Sequence, residues 1–235
     1  MSEPVKTAKT AEHGKAGAEK KEEESADDNK LNPMKFWILA AALIIFFLAL
    51  VYIPKIMHQQ EVEDNKYNGF DFYKGTDGFW YTVVQKGAQP YQIPFYYHPR
   101  ELEDITVEPS IRGKFFDMVA NNGSIYIVVD PDAPSKAVIA GVEIAKITGK
   151  GYQILNVPTY SAFSKEPTNI TTNVETPILS CSAANNKTLI VGLVLSNKNI
   201  AYSQGYCIRL EAASYDDMVR VADRLMYSLL GIMLE

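Results

Sequence analysis

The chain has 235 residues, with 23 Lys and Arg against 28 Asp and Glu, a formal net charge of −5. That balance offers no basic face to neutralise phosphates, so nucleic acid is not an expected partner. With two cysteines and three histidines, the chain can barely assemble the three or four soft ligands of a zinc site, and no cofactor is expected.

The first thirty residues are mainly Ala, Lys, Glu, Ser and Asp, and Val5 is their one β-branched aliphatic side chain. Such a stretch cannot bury enough apolar area to offset the entropy of ordering, so 1–33 is expected to be a disordered tail. Acids interleaved with its lysines favour a solvated spacer over a headgroup anchor.

Phe36 to Ile53 is an unbroken run of eighteen uncharged, almost wholly apolar residues between Lys35 and Lys55. As a helix it reaches roughly 27 Å, close to the hydrocarbon thickness of a bilayer. Residues 34–56 are therefore expected to form one transmembrane helix in a lipid bilayer, because in lipid only a helix satisfies its own amides. A cleaved signal peptide fits poorly. The apolar run starts late, and the exit Val51-Tyr52-Ile53-Pro54 offers no small-x-small step. Seven lysines precede the span, whereas Lys55 and Lys66 are the two in the twenty residues that follow. Cationic flanks stay in the cytoplasm, which places the amino terminus inside and the remainder outside the cell membrane.

Residues 57–68 are polar and acidic and read as a juxtamembrane stalk, leaving 69–235 as one extracytoplasmic domain. Its opening stretch, 69–97, alternates aromatic-rich runs with the breaks Lys74 to Gly78 and Lys86 to Ala88. This pattern predicts a three-stranded antiparallel meander. Phe70, Phe72, Phe79, Trp80, Tyr81, Tyr91 and Phe95 could form a stacking platform for sugars or peptides. Filling the sheet's inner face is the commoner use of such residues. A short strand at Ile105 to Val107 and a helix at Lys114 to Ala120 come next.

Ser124 to Val129 reads as a strand and Asp130 to Pro134 as a loop. Ser135 stands at an N-cap position before a helix at Lys136 to Thr148, and Tyr152 to Val157 reads as a second strand. Strand, helix and strand with short joints predict a parallel right-handed crossover. The helix is apolar nearly all round and should be well buried.

Beyond a polar loop, strands are expected at Pro177 to Ser182, Thr188 to Ser196 and Tyr206 to Glu211, with a hairpin turn at Asn197-Lys198-Asn199. An amphipathic helix at Tyr215 to Leu230 closes the chain, with Ser214 and Asp217 as a capping box and Gly231 as its stop. The fold class is α+β. Its mixed sheet has an N-terminal antiparallel meander, one βαβ crossover and a C-terminal amphipathic helix, behind a single transmembrane helix.

The elements YNGFDF, FWYTVVQ, IPFYYHPRELEDI, IYIVVDPD and YCIRLEA, with the terminal ADRLMYSLLGIM, resemble a group of uncharacterised archaeal single-span membrane proteins. The similarity covers most of residues 67–233 and rests on structural residues. It implies an archaeal cell-surface setting and no particular chemistry.

Candidate chemistry is sparse. Asp130 and Asp132 lie at the carboxyl end of a strand, where ligands gather in open α/β sheets, and could hold a divalent metal through oxygen. Capping the following helix together with Ser135 and shaping a Pro-flanked turn is the more ordinary use of these residues. Cys181 and Cys207 lie beyond the membrane, where a disulfide is plausible. Closing a loop of about 27 residues would stabilise the fold by roughly 3–4 kcal/mol. An unbridged Cys181 would need a base to act as a nucleophile, and His98 is the one histidine in the domain. Asn122, Asn169 and Asn186 begin Asn-x-Ser/Thr sequons and are glycosylation candidates. These features favour a membrane-anchored binding or assembly module that holds an envelope or membrane protein. The alternative is an envelope metal-dependent hydrolase using Asp130 and Asp132.

Overall fold

The computed structural model describes residues 33–168 and 176–234. The tail expected at 1–33 lies outside the described residues, apart from Pro33, which begins helix α1 (Pro33–Asp64). The chain divides into two units, Met1–Pro54 and Lys55–Glu235.

Within α1, Met34–Lys55 has a mean hydropathy of 2.8 and is long and apolar enough to span a membrane. None of its most apolar window is buried, as the core helix of a water-soluble domain would be, and Trp37 is 72% exposed. Pro54 closes the span and supplies no N–H to the helical ladder there. The stretch read as a stalk, 57–68, is instead helical to Asp64 and then joins a sheet. Tyr67 packs against the core, and Asn68 Nδ2 donates to the Ile232 carbonyl at 2.9 Å.

That first sheet is an antiparallel ribbon of β1 (Lys66–Tyr67), β2 (Phe70–Lys74), β3 (Trp80–Lys86) and β4 (Gln89–Phe95), in that order. It is the expected meander with one short strand added. The β1–β2 turn is Asn68-Gly69 with φ of 46° and 83°, the mirror-image geometry that matches strand twist. Strand alternation sends Phe72, Thr82, Val84, Ile93 and Phe95 inward.

The second sheet is mixed and six-stranded. Its strands are β5 (Thr106–Val107), β6 (Ser124–Val129), β7 (Thr159–Phe163), β8 (Thr188–Leu195), β9 (Ile200–Gln204) and β10 (Cys207–Ala212). Their spatial order is β5-β9-β10-β8-β6-β7, and β10, β8, β6 and β7 run parallel. Helices α2 (Ser110–Ala120), α3 (Ser135–Thr148) and α4 (Tyr215–Leu230) complete the domain.

Several expectations shift. The crossover β6–α3–β7 forms, but its second strand is Thr159–Phe163 rather than Tyr152 to Val157. The earlier residues close the end of α3: the amides of Tyr152, Leu155 and Val157 donate to the carbonyls of Lys146, Ile147 and Thr148. Gln153 and Asn156 also hold φ of 53° and 56°, which no strand accommodates. Pro177 to Ser182 makes one bridge, Phe163 to Ile178, and then turns as a 3₁₀ segment at Cys181–Ala183. The 196–199 turn does not close a hairpin, because β10 inserts between β8 and β9. The hairpin is β9–β10, turning at Gly205 with φ of 62°. On α3, Val138 and Val142 are each 56% exposed, so the helix is buried on one side only.

Helix α4 lies between the two sheets. One side packs on β8, β9 and β10, while Tyr227 on the other meets Phe72 and Phe95 of the meander at 5.8 and 4.2 Å between ring centroids. Its stop is as expected and the Ser214 half of the capping box forms, while the Asp217 carboxylate accepts the Ser214 hydroxyl at 2.7 Å. Ser214 Oγ accepts from the Asp217 amide at 3.0 Å, and Gly231 is left-handed at φ of 77°.

Charged groups are buried in this middle layer. Asp223 Oδ2 accepts the amides of Tyr96 and Tyr97 at 2.9 and 3.1 Å. Lys146 pairs with Glu143 and donates to the Pro94 carbonyl. Asp223 Oδ1 is buried and meets no N–H or O–H donor, and Glu143 and Lys146 are its charged neighbours. Burial first, then the Glu143 carboxylate, push Asp223 well above the ordinary carboxyl value, against the pull of Lys146.

Two predictions follow from this packing. The folded-state value of Asp223 exceeds the unfolded value of about 4, so its stabilising contribution is complete below pH 4 and is lost as pH rises through the folded value. Asp223→Asn removes the titrating group and should flatten that decline, as read from denaturant midpoints across the pH range; an unchanged profile would overturn the upward shift of Asp223. The Cys181–Cys207 bond joins residues 26 apart with Cα atoms at 5.2 Å. Replacing both by Ser should lower unfolding free energy by about 3–4 kcal/mol in equilibrium chemical unfolding.

Candidate functional site at the carboxyl edge of the mixed sheet

Strands β6 and β8 pair in parallel from Ser124 with Thr188 as far as Val128 with Gly192, and then part. At Asp130-Pro131 the chain leaves β6 for α3 and β7 on one side. From β8 it leaves for β9 and β10 on the other. Adjacent strands whose chains exit in opposite directions leave a crevice at their carboxyl ends, where ligands of open α/β sheets bind. Here the crevice opens on both sides of the sheet. Towards the helices is a cavity of about 380 Å³ lined by Val129, Asp130, Ala133, Leu193, Tyr215 and Met218. On the opposite side is a smaller pocket of about 190 Å³, and Ser164, Leu193 and Val194 line both.

Asp130 and Asp132 do converge beside this crevice, on an ammonium group. Lys165 Nζ stands 3.1 Å from Asp130 Oδ1 and 3.0 Å from Asp132 Oδ2. Asp132 also accepts the Thr168 hydroxyl at 2.6 Å and the Thr168 amide at 3.1 Å, and Asp130 Oδ1 accepts the Asp132 amide at 2.9 Å. The Thr168 hydroxyl, the Thr168 amide and Lys165, in that order, lower the Asp132 carboxyl to about 2. The two carboxylates, chiefly Asp132, correspondingly raise Lys165. This is a clasp that stitches 164–168 to the turn after β6. Of the use expected of these residues the turn is made, with Asp130 holding the Asp132 and Ala133 amides, and the cap is not: Ser135 is already the first helical residue, and the N-cap, Pro134, has no side-chain bond. Among the described residues no group of three or more His, Cys, Asp and Glu side chains gathers to hold a metal.

The other candidates fall elsewhere. Cys181 is bonded to Cys207, which removes it as a thiol nucleophile. His98 is buried in the meander with its ring 4.7 Å from Trp80 and 5.0 Å from Phe72, and Nδ1 accepts the Arg100 amide. The aromatic residues of 69–97 mostly fill the core. Tyr73 and Tyr81 form one stacked pair on the outer side, 5.4 Å apart, and Tyr81 donates to Asp77. The sequon residues Asn122 and Asn186 are exposed in neighbouring turns, whereas Asn169 lies outside the described residues.

Lys165, Gly192 and Arg209 were not singled out in the sequence. Gly192 carried a signal, as a lone glycine inside the apolar strand TLIVGLVL. Comparison with protein-family models, with curated proteins and with solved structures found no match.

Thr168→Val removes the strongest single bond to Asp132 and should raise its titration midpoint towards the ordinary carboxylate value while Lys165 still holds it in part. Carboxyl carbon shifts followed by NMR through an acid titration read this directly; a midpoint still near 2 would dismiss the clasp.

Proposed function

We propose that this chain is a single-span membrane protein displaying its α+β domain outside the cytoplasm as a binding module for another envelope or membrane component. The observation that carries the reading is the crevice where β6 and β8 part. It is a recess with mixed lining at a topological switch point, and the acids beside it are bound to a lysine rather than poised for chemistry. The outward orientation is supported by the lysine excess ahead of the span and by a disulfide, which persists on the oxidising side of a membrane. The metal-dependent hydrolase is disfavoured, because the Lys165 ammonium takes the place between Asp130 and Asp132 that a cation would need.

Protease added to sealed cells should degrade the domain and spare an amino-terminal epitope. A benzophenone side chain placed at Ser164 should give a discrete covalent adduct on irradiation in native membranes, and one at exposed Val83 should give none. A protected domain would overturn the orientation, and identical adduct patterns at the two positions would overturn the crevice as the binding site.

A further inference from the structure

Resting on the binding reading above, we infer that the pocket on the helix-free side of the mixed sheet is a carboxylate site, with Arg209 as the anion receptor and Gly192 as the space for the ligand. Four strands present one row across that side: Arg209 on β10 is in register with Gly192 on β8, Gly192 with Val128 on β6, and Val128 with Ala162 on β7. The row descends from the longest side chain to none and then to small apolar ones. The result is a trough with a guanidinium at one end. The pocket of about 190 Å³ lies there, with Val128, Ile190 and Leu179 as apolar walls and the Ser180 hydroxyl among its polar groups.

Two independent observations point to a ligand. First, Arg209 Nε is buried and, among the described residues, has no hydrogen-bond acceptor. Its ion-pair neighbour Glu211 Oε1 is 3.9 Å away, beyond hydrogen-bond reach, and already accepts the Tyr202 hydroxyl at 2.7 Å. A buried guanidinium N–H left unpaired is costly, and a carboxylate satisfies it through two parallel bonds. Second, packing does not require Gly192 to be glycine. A Cβ built there would meet nothing nearer than the Ile208 carbonyl at 3.9 Å, an ordinary contact. Glycine inside a strand weakens it, so the missing side chain serves the pocket rather than the sheet. One cation within apolar walls selects a monoanion with an aliphatic body, either a free branched-chain carboxylic acid or the carboxyl terminus of a peptide ending in such a residue.

The test is calorimetric titration of the full chain in lipid nanodiscs. Its probes are 3-methylbutanoate, its amide, and a short peptide ending in Val with a free or an amidated terminus. At least one acid should bind, roughly tenfold or more tighter than its amide, and the better acid identifies the source. Arg209→Gln and Gly192→Val should each remove that binding while keeping the unfolding temperature and the disulfide. Should Gly192→Val fold poorly, Gly192→Ala should still weaken binding without lowering the unfolding temperature. No binding by either acid, equal binding of acid and amide, or unchanged affinity in both the Arg209 and Gly192 variants overturns the site. Any of these leaves the Ser164 adduct and the protease result standing, so failure here is distinct from failure of the binding reading.

Discussion

Everything in the domain leans on α4 being enclosed on both sides. A helix with one wet face can leave charged groups in water, but α4 has the meander on one side and the mixed sheet on the other. Each polar group it carries inward must therefore find a fixed partner. Tyr227 gives its hydroxyl to the Tyr97 carbonyl at 2.8 Å, and Arg224 reaches the Met233 carbonyl. Asp223 takes two amides on one oxygen and has Glu143 and Lys146 as charged neighbours. The Tyr227 and Asp223 bonds tie the chain just after β4 to the last helix, across more than a hundred residues. The meander is thereby bound to the rest of the domain by polar register as well as by apolar area. Burial beside Glu143 disfavours the charged form of Asp223 in that place, because no water screens it.

The crevice arises from equally local causes. Pro131 supplies no N–H to a ladder, so β6 cannot continue beside β8. Strand β8 does continue, because β10 pairs with it as far as Leu195. Two neighbours of unequal length leave a gap, and no side chain at Gly192 fills it from below. The Lys165 clasp then fixes the loop that closes the outer end. The recess is thus a consequence of one proline, one glycine and one bridging lysine on an otherwise regular parallel sheet.

Residues that act on their immediate neighbours were legible in the sequence. The ends of α4 follow from Ser214, Asp217 and Gly231, and β6 reads directly from SIYIVV. Asn68-Gly69 is a strong hairpin signal that would have yielded β1, yet the acidic stretch ahead of it reads as a stalk. What was illegible depends on distant partners. Tyr152 to Val157 has strand-like composition, but its amides are consumed by the end of α3. The insertion of β10 between β8 and β9 is invisible locally, because a turn at 196–199 suits either a hairpin or a crossing. Glu143, Lys146 and Asp223 look like ordinary surface charges until two helices and a sheet close over them. Asp130 and Asp132 stand two apart in the sequence, but their cationic partner, Lys165, lies more than thirty residues on.

The disulfide connects the proposed location with the proposed ligand site. Cys207 begins β10, two residues before Arg209 on the same side of the sheet, and Cys181 lies in the segment whose Leu179 and Ser180 wall the pocket. Backbone pairing holds that segment through Phe163 and Leu179, and beyond it the covalent bond keeps the chain over Ile190, Val128 and Ala162. In a reducing compartment the bond opens, one wall of the pocket loses its tether, and those apolar side chains meet water. An oxidising exterior and a formed pocket are then the same requirement. The proposed carboxylate site and the proposed outward orientation thus rest on the same covalent bond.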